Sequence, residues 1–325
     1  MLLVGSCAGK FLAFDRHSGR VRWEYDIRSD GHQTSFHGEP LLADGLLLIG
    51  TDNAARTPRG GHVYAFEQAT GRVRWRFPSE VGFPSDVVRL GPTVYVVDMT
   101  GVLMALDLRT GILRWKFAAG GGQPQLADAA SVVADGAQVF LPGRDATVYA
   151  LDACSGEVTW HRSLGSDITT ALAAGSGKLY VGTADRRFWC LDQRDGHVVA
   201  ELELPDMPHR VPVVAGDTLL LFLRNRSLAS LDPSLTGIRW SRRVDSRWGT
   251  NRPLVRGGLA VAGDCAGQVL AFSLEDGTPR WSRSFPGEEI RSIGGCEDRL
   301  YVGTFRGTLY AWVPDRQADT SARAR

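Results

Sequence analysis

The sequence is short of most of the features that announce a function. Its charges nearly cancel, with 37 Lys and Arg against 36 Asp and Glu in 325 residues, so it lacks the one-signed field that nucleic acid or an anionic membrane surface selects for. Neither partner is expected. The five cysteines, 7, 154, 190, 265 and 296, are odd in number and scattered, with no CxxC and no adjacent pair. This excludes a disulfide scaffold and a thiolate zinc site and leaves them as small residues in strands. No apolar run approaches the roughly 18 residues of a membrane helix. No GxSxG or HExxH is present, and GGGQ at 120–123 lacks the Lys and Ser/Thr of a phosphate loop, so it reads as a flexible connection. Three of the seven histidines, His32, His37 and His62, fall close together, but nothing in their spacing forces three or four ligands to converge. No metal, cofactor or catalytic residue is expected.

LLVGSC at the N-terminus is suggestive of a lipoprotein signal ending on Cys7. A signal segment, however, needs a cationic start and a longer apolar stretch. LAVAGDCAGQVLAF at 259–272 reproduces the same pattern in mid-chain, so Cys7 belongs to a repeat. As written the chain carries no signal and reads as cytoplasmic. A natural start upstream of Met1 would move it to the periplasm or another extracytoplasmic compartment.

What the chain has is the repeat. FDRHSGRVRW (14–23), FEQATGRVRW (66–75), LDLRTGILRW (106–115), LDACSGEVTW (151–160), LDQRDGHVVA (191–200), LDPSLTGIRW (231–240) and FSLEDGTPRW (272–281) share one signature, recurring about every 40 residues, a period typical of propeller blades. In each, an alternating apolar strand precedes an acidic residue whose carboxylate can bond turn N–H groups. A glycine follows that can take positive φ, and then a strand carrying tryptophan. Upstream lie strands such as LLIGT (47–51) and LYVGT (179–183), and before them inner candidates such as SVVADG (131–136).

Four short strands per repeat predict an all-β chain, a β-propeller. Eight four-stranded blades are preferred over seven, with the first lacking its innermost strand and the last its outermost. One four-stranded sheet cannot bury both faces alone, and stacking hides them. Trp23, Trp75, Trp115, Trp160, Trp240 and Trp281 are expected to fill the blade seams, each contributing about 150–250 Å² of burial. Trp189, Trp248 and Trp312 lie outside that column and are expected to be freer to serve a surface. The domain is expected to span 1–313 as a single propeller, with 314–325 a disordered tail.

The unit A-[LF]-[DE]-x-x-[TS]-G-x-x-x-W, preceded by L-x-[VI]-G-[TS], resembles the PQQ-like, or quinoprotein-like, propeller repeat over nearly the whole chain. The resemblance implies one of two roles. Quinone-dependent dehydrogenases of this kind hold pyrroloquinoline quinone and calcium in an eight-bladed propeller. Non-catalytic bacterial members include the scaffold lipoprotein of the outer-membrane β-barrel assembly machinery and sensor domains of kinases and synthetases. The dehydrogenases typically carry a Cys-Cys pair and long insertions with metal-ligating residues. This sequence has neither, so the resemblance points to a scaffold or sensor module, monomeric, that binds a protein or peptide. A small-ligand binder is the alternative.

Two candidate binding surfaces stand out, against the plain alternatives of a wet channel mouth that needs polar residues and a tolerated surface insertion. Segments entering the innermost strands stack into a polar column that would ring one mouth of the channel: His37, Asp128, Asp167, His209, Arg210, Asn251, Arg252, Glu289 and Arg291. The longest departure from the repeat, DNAARTPRGG at 52–61, offers Arg56 and Arg59 as loop contacts.

Overall fold

The computed structural model describes residues 1–6, 9–31, 35–36, 38–53, 60–120, 131–296 and 299–314. They form eight antiparallel sheets whose strands pair in chain order, spanning 2–26, 35–79, 88–118, 133–163, 173–203, 208–243, 254–284 and 290–312. These are the eight blades of a β-propeller, numbered 1 to 8 below. The first and last blades have three strands. Among the described residues, blade 1 runs from Leu2–Gly5 to the Trp-bearing Val21–Asp26 and has no innermost strand, and blade 8 runs to Leu309–Trp312 with no outer strand. In blade 2 the inner strand is split into Ser35–Phe36 and Leu41–Ala43, both pairing with Leu46–Asp52. The only helix among the described residues is a single 3-10 turn, Ile27–Asp30.

The chain divides into two compact units, Met1–Ile168 with blades 1 to 4 and Thr169–Arg325 with blades 5 to 8. Within each, the middle strands carry the core. Thr93–Val97 in the first unit and Thr218–Leu223 in the second are buried at every position, as expected for a strand covered on both faces. The outer strands alternate instead, as in Ile238–Arg243, where Trp240 is the buried position. Burying a Leu or Phe side chain contributes about 1.5–3 kcal/mol, and the fully buried Leu47, Phe66, Phe140, Leu220 and Phe222 show where that stabilisation lies.

The signature explains itself locally. Asp107 Oδ1 accepts the backbone N–H groups of Arg109 and Thr110 at 3.0 and 2.9 Å, and Gly111, at φ +71°, closes the turn on the Asp107 carbonyl. Asp15 and Asp152 make the same turn. One residue before the tryptophan stands an arginine that returns to the turn carboxylate: Arg22 to Asp15 at 2.5 Å, Arg74 to Glu67 at 3.1 Å, Arg114 to Asp107 at 2.6 Å and Arg239 to Asp232 at 2.9 Å. The hydrogen bonds from Arg114 and Thr110 hold the Asp107 carboxyl at about 2.

The tryptophan sits opposite a small residue, as in Ala65↔Trp75 and Ala105↔Trp115, next to a β-bulge. Its indole reaches the next blade. Nε1 of Trp23 donates to Gln68 O at 3.0 Å, Trp75 to Leu108 O at 3.0 Å, Trp115 to Ala153 O at 3.2 Å and Trp240 to Leu274 O at 2.9 Å. Each of these rings lies across the turn glycine of the neighbour. A Cβ on Gly71, Gly111, Gly156 or Gly277 would come within 2.5–2.6 Å of it. Trp160 is also buried, whereas Trp115 and Trp281 are half-buried, the latter edge-on to Trp312 with centroids 4.9 Å apart.

Blade 5 departs from this plan in a compensated way. Ala200 replaces the tryptophan, opposite Cys190. On the adjoining blade 6 the turn presents Leu235, a leucine in left-handed backbone at φ +55° and only 4% exposed, packed in the same cluster as Ala200 and Cys190. The small residue on one blade is matched by a large one on the next.

Candidate functional site

In the first unit the described polar groups converge on Asp30. Tyr25 and Tyr64 donate to its Oδ2 at 2.6 and 2.8 Å, and Arg76 pairs with Oδ1 at 2.9 Å. Blade 1 and its 3-10 turn supply Tyr25 and Asp30; blade 2 supplies Tyr64 and Arg76. Burial alone would raise the Asp30 carboxyl, but the two hydroxyls and the guanidinium overcome it and hold it below the usual carboxylate range. Burial and the same carboxylate push Tyr25 up to about 12. The His62 ring lies tilted against Tyr64 with centroids 5.5 Å apart, and burial first, then Arg76, lowers its pKa. Every strong acceptor here is satisfied, and the cluster acts as a staple between two blades. Sequence reading missed it, because its members are brought together by blade packing and share no local pattern.

Of the expected rim residues in the first unit, Asp167 is an exposed residue just before the end of the unit. His37 and Asp128 lie outside the described residues, as do Arg56 and Arg59 of the loop, residues 121–123 of GGGQ, Cys7, His32 and residues 315–325. No group of three or more His, Cys, Asp or Glu side chains among the described residues is placed to hold a metal ion.

The second unit gathers more. Pro208–Ala215 is interrupted by a bulge between His209 and Val213, which carries Arg210 in left-handed backbone at φ +70°. This segment stitches consecutive blade entries. Ala171 N donates to Arg210 O at 3.0 Å, Val211 N to Asn251 O at 3.2 Å, and the Arg210 guanidinium reaches Asn251 Oδ1 at 2.8 Å and Trp248 O at 3.0 Å. Arg210 and Asn251, two of the expected rim residues, are thus in direct contact. Glu289 and Arg291 pair with each other at 2.8 Å, and Arg252 is half-buried.

His209 Nδ1 and Trp248 Nε1 are buried without a hydrogen-bond partner among the described residues. Burial, then Arg210 and Arg224, depress His209 to about 4. Trp248, expected at a surface, is only 2% exposed and stacks on Phe222 with centroids 5.0 Å apart. Trp189 is likewise buried, donating to Thr183 Oγ1 at 3.0 Å. Both fill the interior because an indole inside a thin blade buries more area than one left on a loop.

Compared with known proteins, the sequence matches the family described as outer membrane protein assembly factor BamB through four overlapping stretches, residues 1–116, 52–144, 123–203 and 200–316. The chain belongs to this PQQ-like repeat family. Within it, the chain is 26% identical over 245 residues to an outer membrane protein assembly factor BamB of Yersinia pestis, a stretch covering 69% of this chain and 57% of that protein. The crystal structure of BamB from Moraxella catarrhalis has the same fold, with a TM-score of 0.78 at 19% identity over 96% of this chain and 93% of that one. A shorter likeness, 38% identity over 79 residues, links it to the dehydrogenase subunit of a quinone alcohol dehydrogenase of Gluconobacter oxydans, covering 22% of this chain and 10% of that protein. The chain therefore spans little more than half the length of its curated BamB relative.

Proposed function

We propose that this protein is a non-catalytic propeller scaffold that holds protein partners through its loops and serves outer-membrane protein assembly, outside the cytoplasm. The observation that carries the reading is the BamB family match, which runs through every repeat from residue 1 to 316. The structure supports it by what the repeated side chains are used for. The signature carboxylates close turns and pair with arginines, and the indoles pack seams, so the recurrent motif serves architecture and leaves the loops to vary, as on other repeat scaffolds.

Crosslinking in cells of the native host, followed by affinity capture of the full chain, tests this. Recovery of an outer-membrane assembly component is expected. A folded protein that retains nothing would overturn it. The quinone-binding alternative draws on the Gluconobacter likeness, but that stretch is only 79 residues long, about two repeats, and the shared repeat accounts for it. Pyrroloquinoline quinone with Ca²⁺ is expected to leave the melting temperature unchanged; a raised melting temperature with a bound chromophore would favour the alternative.

A further inference from the structure

The turn between the second and third strands of each blade closes on a residue with positive φ. In blades 1, 3, 7 and 8 that residue is glycine: Gly9, Gly101, Gly267 and Gly307, at φ +79°, +85°, +84° and +84°. In blade 2 it is Gly60 at φ +93°, in blade 4 it is alanine, Ala146 at φ +61°, and in blades 5 and 6 it is arginine, Arg186 at φ +68° and Arg226 at φ +72°. Glycine takes this conformation freely, whereas a side chain with a Cβ is strained in it. Arg210 makes a third arginine so held, at φ +70°. All three fall in the second unit. Strain that a glycine would remove, carried at three places by the same cation, is the kind of outlier from which a role can be inferred.

These residues share one side of the second unit, where the strand turns meet the segments leading into the next blade. Arg186 O accepts from Leu204 N at 2.8 Å, Arg226 O from Val244 N at 3.2 Å, Met207 O from Arg224 N at 2.9 Å and Arg247 O from Cys265 N at 2.8 Å. Arg224 and Arg247 are exposed, and among the described residues neither guanidinium has a hydrogen-bond or ion-pair partner. The Arg226 guanidinium bonds the Asp245 carbonyl, and Arg186 pairs with the exposed Glu203 at 2.9 Å.

We propose that this loop side of the second unit, centred on Arg186, Arg224, Arg226 and Arg247, is a docking surface for an acidic, extended segment of a partner protein. Planar guanidinium groups bind carboxylates bidentately, and unpaired ones leave that capacity open. A peptide fits better than a nucleic acid, because the chain as a whole carries a net charge of only +1 and offers no extended one-signed field for a line of phosphates. The inference rests on the scaffold reading and names the chemistry of one partner.

The test uses the full chain and three short fluorescein-labelled peptides alternating Val or Ser with Glu, Gln or Lys, read by anisotropy. The Glu peptide is expected to bind more tightly than the Gln peptide, the Lys peptide not at all, and binding should weaken as salt is raised above about 0.1 M. The double variants Arg224→Glu/Arg247→Glu and Arg186→Gly/Arg226→Gly should each weaken it by about tenfold or more, while Arg20→Glu, on an exposed turn of blade 1, should not. Because glycine suits both φ values, the second variant is expected to melt no lower than the wild type, which separates lost binding from lost folding. Equal binding of the three peptides, undiminished affinity in variants that remain folded, or displacement of the Glu peptide by an oligonucleotide or by phosphatidylglycerol vesicles would each overturn the proposal. Capture of a native partner that the arginine variants do not disturb would sink it while sparing the scaffold reading. Selective Glu-peptide binding without any captured partner would do the reverse.

Discussion

The two units handle charge in opposite ways. In the first, both oxygens of Asp30 accept from donors drawn from adjoining blades: two tyrosine hydroxyls and a guanidinium. In the second, arginines occupy strained turns, and among the described residues the guanidinium groups of Arg224 and Arg247 have no partner and the His209 Nδ1 is buried unbonded. A saturated polar cluster stabilises the fold it sits in, whereas an unsaturated, strained one costs stability that something outside the fold must justify. Polarity alone does not separate a staple from a docking surface, but hydrogen-bond completion does.

Asp30→Ala should expose the difference most strongly. It leaves two tyrosine hydroxyls and Arg76 without their acceptor, and a loss of roughly 3 kcal/mol is expected by urea denaturation. A loss below about 1 kcal/mol would mean that the cluster is decoration and the contrast between the units fails.

The pH dependence of stability sharpens the other side. His209 is held at about 4 in the fold and would titrate near 6.5 when unfolded. Between those values the unfolded chain binds the extra proton, so stability should be full above about 6.5 and fall as pH drops towards 4, by roughly 2–3 kcal/mol. His209→Gln should flatten that slope; an unchanged slope would remove His209 from the account.

At the blade 5–6 seam, Ala200→Trp alone should cost about 2 kcal/mol by overfilling the space that Leu235 already uses, and Leu235→Gly a similar amount by emptying it. The double variant should recover most of either loss. Strict additivity of the two, measured in a double-mutant cycle, would show that the residues do not share a cavity.

The smallest expected effect has the opposite sign. Arg226→Gly relieves positive-φ strain but gives up the bond to the Asp245 carbonyl, so a change between zero and a gain of about 1 kcal/mol is expected. Destabilisation beyond about 1 kcal/mol would place Arg226 among the structural residues and remove half of the contrast.

Most of the architecture could be read from residue patterns. The acidic residue, the glycine and the tryptophan each recur because a turn and a seam demand them, and blade number, the incomplete end blades and the positions of the middle strands follow. The arginine before the tryptophan recurs as clearly in Arg22, Arg74, Arg114 and Arg239, yet its pairing with the turn carboxylate is a contact across the hairpin that spacing alone does not specify. Stacking the strand-entry segments picked out Arg210 and Asn251, which do bond. It could not find Asp30, Tyr64 and Arg76, which lie on different blades and meet only through packing. Trp248 was misplaced because a residue outside the column seemed free of the architecture, when the interior of a thin sheet has room for an irregular indole. Arg186 and Arg226 were visible in the sequence as departures from a glycine column, but only a backbone dihedral turns that departure into strain.

The exchange of bulk between Ala200 and Leu235 bears on how such a molecule can change over generations. A repeat that arose by duplication begins with interchangeable modules. Once one module has surrendered its indole and its neighbour has grown a leucine to match, neither can be transplanted or replaced by a consensus copy without its companion. Divergence of this kind gives each module an address, and it fixes the order in which the modules must follow one another along the chain.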